Sequence, residues 1–98
     1  MKKNRLNPVT PGDVLMHEFL EPLNITKNKA ATEIGVTASR IGEIVNGTRA
    51  ITADTALRLS KLFGTTPEFW MNLQTSFDLE IARDQFEDEL DNIHTVAA

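Results

Sequence analysis

The sequence predicts an all-α fold: five helices joined by short connections, the last one extended towards the C-terminus. Three observations carry this reading. A threonine stands immediately before the first residue of each of five helix-like segments, at Thr10, Thr26, Thr37, Thr52 and Thr66. Gly35, Gly47 and Gly64 follow the ends of three of those segments. No run of alternating β-branched residues reaches five positions, and Asn46-Gly47 sits at a helix end instead of between two strand-like runs.

The first helix starts at "VTPGDV". The Thr10 hydroxyl can accept from an orphan amide, Pro11 lacks the amide that would be orphaned, and Asp13 suits the positive end of the helix dipole. Val9 and Val14 have the spacing of a hydrophobic staple. The helix runs to about Leu20 or Glu21 and stops before Pro22. The second starts at Thr26, with Ile25 and Ala30 as staple, and ends at Gly35 in the left-handed conformation that glycine tolerates. The third, Ala38 to Asn46, is capped by Thr37 and closed by Gly47. The fourth starts at Thr52, with Ile51 and Ala56 as staple and Asp54 in its first turn, and ends at Gly64. The fifth starts at Thr66, with Pro67 and Glu68 in its first turn.

Trp70, Leu73, Phe77 and Ile81 of the fifth helix recur at three- and four-residue spacing, as do Phe86, Leu90 and Ile93, but the step from Ile81 to Phe86 is five. Either the helix continues with a rotated face, or it ends and an acidic tail frays. The stripe from Trp70 to Ile81 is long for packing on four short helices alone. Trp70 is therefore read as a core or dimer-interface anchor, and Leu73, Phe77 and Ile81 as dimer interface. The organisation expected is an N-terminal arm at 1–8, a helical domain at 9–82 and an acidic extension at 83–98.

A chain of 98 residues with 41% hydrophobic side chains suits one domain with one core. The absence of cysteine excludes disulfide scaffolds, thiol catalysis and cysteine-based zinc sites, and it fits a reducing cytoplasm. No apolar run approaches a membrane span or an export signal, so a cytoplasmic chain without membrane contact is expected. The net charge of −4 hides an asymmetry. Residues 1–77 hold nine Lys/Arg against seven Asp/Glu, a balance of +2, and residues 78–98 hold one Arg against seven Asp/Glu, a balance of −6. A mildly basic body and an acidic tail suit two different partners, although a solvated helix end accounts for the tail equally well.

The third helix carries the most informative pattern. On a helical wheel Ile41, Ile44 and Val45 fall together, and Ser39, Gly42, Glu43 and Asn46 fall on the opposite side. The apolar side must face the core, so a small polar side faces out. Gly42 costs the helix about 1 kcal/mol relative to alanine. Small residues on an exposed face permit close approach, and the DNA major groove admits one α-helix and displays a distinct donor and acceptor pattern at each base pair. Lys27 and Lys29 lie in the first turn of the second helix, where positive charge opposes the dipole. A phosphate there would satisfy the helix amides and both lysines, although exposed lysines are also common where nothing binds. Arg49, in the loop after the third helix, can reach a neighbouring phosphate, and Arg40 flanks the outward face within reach of backbone or base. A helix, a tight glycine turn and a second helix with a readable face form the helix-turn-helix unit.

"AATEIGVTASRIGEIVNGTRAITADTALRLSKLFG" resembles the five-helix lambda-repressor-like (Xre/Cro) helix-turn-helix domains. "NPVTPGDVLMHEFLEPLNIT" and "NGTRAITADTALRLSKLFGTTPEFWMNLQTSFDLEIA" more closely resemble the HigA-type (VapI-like) antitoxins over about residues 7–82. The resemblance implies a homodimeric repressor that binds double-stranded operator DNA, neutralises a HigB/RelE-like ribonuclease toxin and represses its own operon. It places base reading on Ala38, Ser39, Gly42 and Glu43. Backbone contacts fall on Lys27, Asn46 and Arg49, with Lys29, Thr37, Arg40 and Thr48 beside them. Many phage repressors carry glutamine at the first two reading positions, so Ala38 and Ser39 imply a different readout: Ala38 against a thymine methyl, and Glu43 either accepting from cytosine or repelling phosphate.

Catalytic chemistry has little support. His17 and Glu18 are adjacent and do not share a helix face, and no second histidine is spaced for a metal. No phosphate-binding glycine loop and no nucleophile with a base and an orienting acid is visible. No enzyme and no cofactor is expected. The competing readings are a stand-alone phage-type regulator and a protein-interaction module whose DNA binding is weak.

Overall fold

The computed structural model describes residues 9–96. The arm at 1–8 lies outside them. Helix α1 (Pro11–Val14) passes directly into a π-helical segment, Leu15–Leu20. Next come α2 (Lys27–Ile34), α3 (Ala38–Asn46), α4 (Ala53–Phe63) and α5 (Pro67–Asp91). Counting α1 with its π-helical continuation, five helices form the all-α fold.

Four of the five expected caps carry a side-chain bond. The hydroxyls of Thr10, Thr26, Thr37 and Thr66 accept from the amides of Asp13, Lys29, Arg40 and Phe69 at 3.0–3.1 Å. Asp13 completes a capping box by accepting from the Thr10 amide. Thr52 occupies the fifth N-cap without that bond, and its hydroxyl lies 3.4 Å from the Thr55 hydroxyl. Gly35, Gly47 and Gly64 end α2, α3 and α4 with φ of 74°, 82° and 72°, the region that side chains with a Cβ avoid. Ile25, Ala30, Ile51 and Ala56 all turn inward, as expected of staples, but Val9 is 67% exposed, so the pairing with Val14 does not bury it.

The core is filled by Leu15 and Leu20, Ala30, Ala31 and Ile34 of α2, Ile41 and Ile44 of α3, Ile51, Ala56 and Leu59 from α4 and its approach, and Trp70 of α5. Phe19, Phe63 and Phe69 surround Trp70 with ring centroids 5.0–6.2 Å from its own. The indole N–H donates to the Thr65 hydroxyl at 2.7 Å, which satisfies its polar atom. Trp70 is 0% exposed within the single chain, so the dimer-interface reading of this residue is corrected: it is a core anchor, shielded from any second chain.

The first helix reaches Leu20 as expected, but its second half is π-helical: the amide of Glu21 bonds back to the Met16 carbonyl and that of Ile25 to the Leu20 carbonyl, a spacing of five residues. Of the two readings of the fifth helix, the structure takes continuation: it runs to Asp91 with a local break at Phe86, where φ is −112° and ψ is 16°. The slipped apolar spacing after Ile81 corresponds to that break.

Candidate nucleic-acid interface

The helix pair α2–α3 is braced from three sides. Gly12 of α1 lies against the backbone of α3, where a Cβ on Gly12 would collide with the Ile44 carbonyl and come within 2.9 Å of the Val45 Cα. From α4, Arg58 donates to the Ile34 carbonyl at 2.7 Å, satisfying one of the carbonyls left free at the end of α2. Asp54 takes Arg58 on one oxygen and Arg40 of α3 on the other, each at 3.0 Å. The two hydrogen bonds, from Arg58 first and Arg40 second, hold the Asp54 carboxyl below its ordinary range. From α5, buried Gln74 accepts from the Ile51 amide at 2.8 Å and so pins the chain between α3 and α4.

These braces leave the opposite side of α3 open. Ile41 and Ile44 are buried, Ala38 and Ser39 are exposed, and Gly42 and Glu43 are half-buried. A Cβ on Gly42 would have nothing within 4 Å, so nothing in the fold asks for glycine there. The Thr37 hydroxyl accepts its capping bond from the Arg40 amide, which leaves its O–H to donate. Asn46, Thr48 and Arg49 follow at the C-terminal end of α3, all exposed.

The charged side chains are less free than the sequence suggests. Lys29 pairs with Glu33 at 3.0 Å, so it does not stand as a spare cation at the start of α2. Arg40 is tied to Asp54, and Arg49 to Glu43 with Nε–Oε1 at 2.7 Å. Lys27 is exposed and, among the described residues, has no carboxylate within ion-pair distance. Sequence reasoning missed Gly12, Gln74 and Arg58 as parts of the apparatus. The only sequence signal for Gly12 is a glycine in the first turn of a helix, where other residues do as well. Gln74 and Arg58 carry none, because their partners lie 23 and 24 residues away.

On α5, Leu73 and Phe77 are half-buried, whereas Ile81 is 41% exposed and Leu79, Phe86 and Leu90 are exposed as well. No helix among the described residues is long and apolar enough to cross a membrane. No group of three or more His, Asp or Glu able to hold a metal is found among them.

A small polar helix face held rigidly by a separate core defines a class of protein, the helix-turn-helix regulators. Residues 16–70 match the helix-turn-helix family model. The chain is 40% identical over 99 residues to the Escherichia coli HTH-type transcriptional regulator YbaQ, covering 99% of this chain and 88% of YbaQ. It is 38% identical over 89 residues to antitoxin HigA-1 of Vibrio cholerae, covering 91% of this chain and 84% of that one. Among solved structures, Pseudomonas aeruginosa antitoxin HigA with the higBA promoter superimposes with a TM-score of 0.88 at 34% identity, over 93% of this chain and all of the other. The chain therefore belongs to the helix-turn-helix family of DNA-binding transcriptional regulators, among the HigA-type antitoxins. That family consists of regulators and not enzymes.

Proposed function

We propose that this chain is a cytoplasmic, homodimeric repressor that binds double-stranded operator DNA, neutralises a HigB/RelE-like ribonuclease toxin and represses its own operon. Helix α3 enters the major groove with Ala38, Ser39, Gly42 and Glu43 towards the base edges. Lys27, Asn46, Thr48 and Arg49 lie along the backbone, with Thr37, Lys29 and Arg40 at the margin. The single observation that carries this reading is the unfilled space in front of Gly42 on a helix whose other side buries Ile41 and Ile44. The Pseudomonas relative solved with promoter DNA and the Vibrio relative named an antitoxin support it. In the dimer the two α3 helices lie about 34–36 Å apart, one turn of B-DNA.

The test is a fluorescence titration of wild-type and Gly42→Leu protein against the chain's own promoter DNA and a shuffled duplex at two salt concentrations. Leucine is the better helix former, so the variant stays folded, while its bulk removes the preference for promoter over shuffled DNA. Wild-type preference in Gly42→Leu refutes the placement of this face in the groove. Equal, weak binding of wild type to both duplexes favours a protein-interaction module instead.

A further inference from the structure

We infer that Glu43 is a positioning residue that aims Arg49 at the DNA backbone and does not itself read a base. The inference rests on the DNA-binding reading above and assigns Glu43 a different role within it.

The loop after α3 is tied at its far end by the bond from the Ile51 amide to Gln74, and residues 46–50 themselves are all exposed. Glu43 fastens this loop through both its backbone and its side chain. Its backbone carbonyl accepts from the Thr48 amide at 2.9 Å and from the Thr48 hydroxyl at 3.2 Å. Its carboxylate accepts from Arg49 Nε at 2.7 Å. No other protein group among the described residues accepts from Arg49. A guanidinium offers five N–H groups in a fixed planar fork. With Nε taken by Glu43, the terminal nitrogens remain for an anion on the far side, and a guanidinium between a carboxylate and a phosphate satisfies both.

The pair constrains the alternative. To accept from cytosine, Glu43 has only its second oxygen to offer, because Oε1 holds Arg49, and the carboxylate that holds Arg49 then sits where the arginine sets its direction. Holding an arginine rotamer in advance is worth about 0.5–1.5 kcal/mol of binding, or about two- to tenfold in affinity.

The two roles differ in sign. If Glu43 acts only through its charge, Glu43→Ala removes a negative charge from the DNA face and tightens binding to any duplex. If it positions Arg49, Glu43→Ala weakens binding about two- to tenfold, equally on promoter and shuffled DNA. In the positioning case Glu43→Gln recovers most of that loss, because its amide oxygen still accepts from Nε. Glu43→Ala then adds no loss to Arg49→Ala. Binding of the four proteins and wild type is measured by fluorescence anisotropy at several salt concentrations. The Arg49 Nε–H resonance is followed by NMR in the free proteins. Tighter binding by Glu43→Ala, a changed promoter-to-shuffled ratio, or additive losses in the double variant overturns the proposal. If wild type binds neither duplex, the DNA reading itself fails, and the Nε–H resonance still reports the pair independently.

Discussion

The Cα of Gly12 in α1 sits where any side chain would strike the carbonyl of Ile44 in α3, so the first helix seats the third through bare backbone. Gly12→Ala should destabilise the chain by about 1–3 kcal/mol, the usual cost of forcing extra volume into a closed contact. Gly42→Ala should do the opposite and add up to about 1 kcal/mol, because a Cβ there meets nothing. Urea denaturation of both variants at one fixed protein concentration checks the pair. A neutral Gly12→Ala would mean that α1 can slide off α3 without cost.

Two exposed titratable groups, Asp54 and His17, give stability a pH signature with opposite slopes. The folded chain favours ionised Asp54, so its contribution is fully present above the ordinary value of 3.8 and is lost as pH falls through the lowered one. His17 is held above its ordinary 6.5 by hydrogen bonding to Glu21, so its contribution is fully present below pH 6.5 and is lost as pH rises through the raised value. Both effects are small because the groups are solvent-screened. In thermal melts, the gap between wild type and Asp54→Asn should close below pH 3.8, and the gap to His17→Gln should close above pH 6.5. Gaps that stay constant across the range would show that neither pair is coupled to folding.

Phe77→Glu and Ile81→Glu should yield folded monomers in light scattering, since these side chains continue the apolar stripe of α5 onto the surface. Trp70→Ala should instead lose about 3–5 kcal/mol of stability, the cost of emptying a large aromatic site. Unchanged self-association in both glutamate variants would move the dimer contact away from this stretch.

The acidic end of α5 should steer a basic protein partner. Replacing Glu87, Asp88 and Glu89 by Gln, Asn and Gln keeps the chain length and removes three negative charges. Stopped-flow association with the co-encoded basic partner should be slower at low salt and should converge with wild type at high salt, where surface charges are screened. Identical rates at every salt concentration would leave these residues as a solvated helix end.

How much of this could be read from the sequence follows the range of each interaction. Thr10, Thr26, Thr37 and Thr66 bond to amides three residues on, so their caps are legible in a four-residue window. The glycine stops are equally local. Thr52 has the same sequence signature, yet its hydroxyl lies 3.4 Å from that of buried Thr55, which Arg40 of α3 also approaches at 3.5 Å. The π-helical turn after Val14 has no periodic signal of its own. Ion pairing is the main blind spot at the candidate site. The sequence gives Arg49 and Glu43 separate expected roles, but that they bind each other depends on the fold of the loop between them. The buried face of α3 was legible from its wheel because Ile41 and Ile44 must leave water together.

That division of α3 into a packed side and an open side bears on how such a protein changes over generations. Ile41 and Ile44 are held by the core, and the ends of the helix are held by Thr37 and Gly47. Ala38, Ser39 and Gly42 answer to none of these constraints. A substitution at those three positions alters what the surface meets without disturbing what keeps the chain folded. One scaffold can therefore drift from target to target by single steps, each intermediate remaining a well-folded protein.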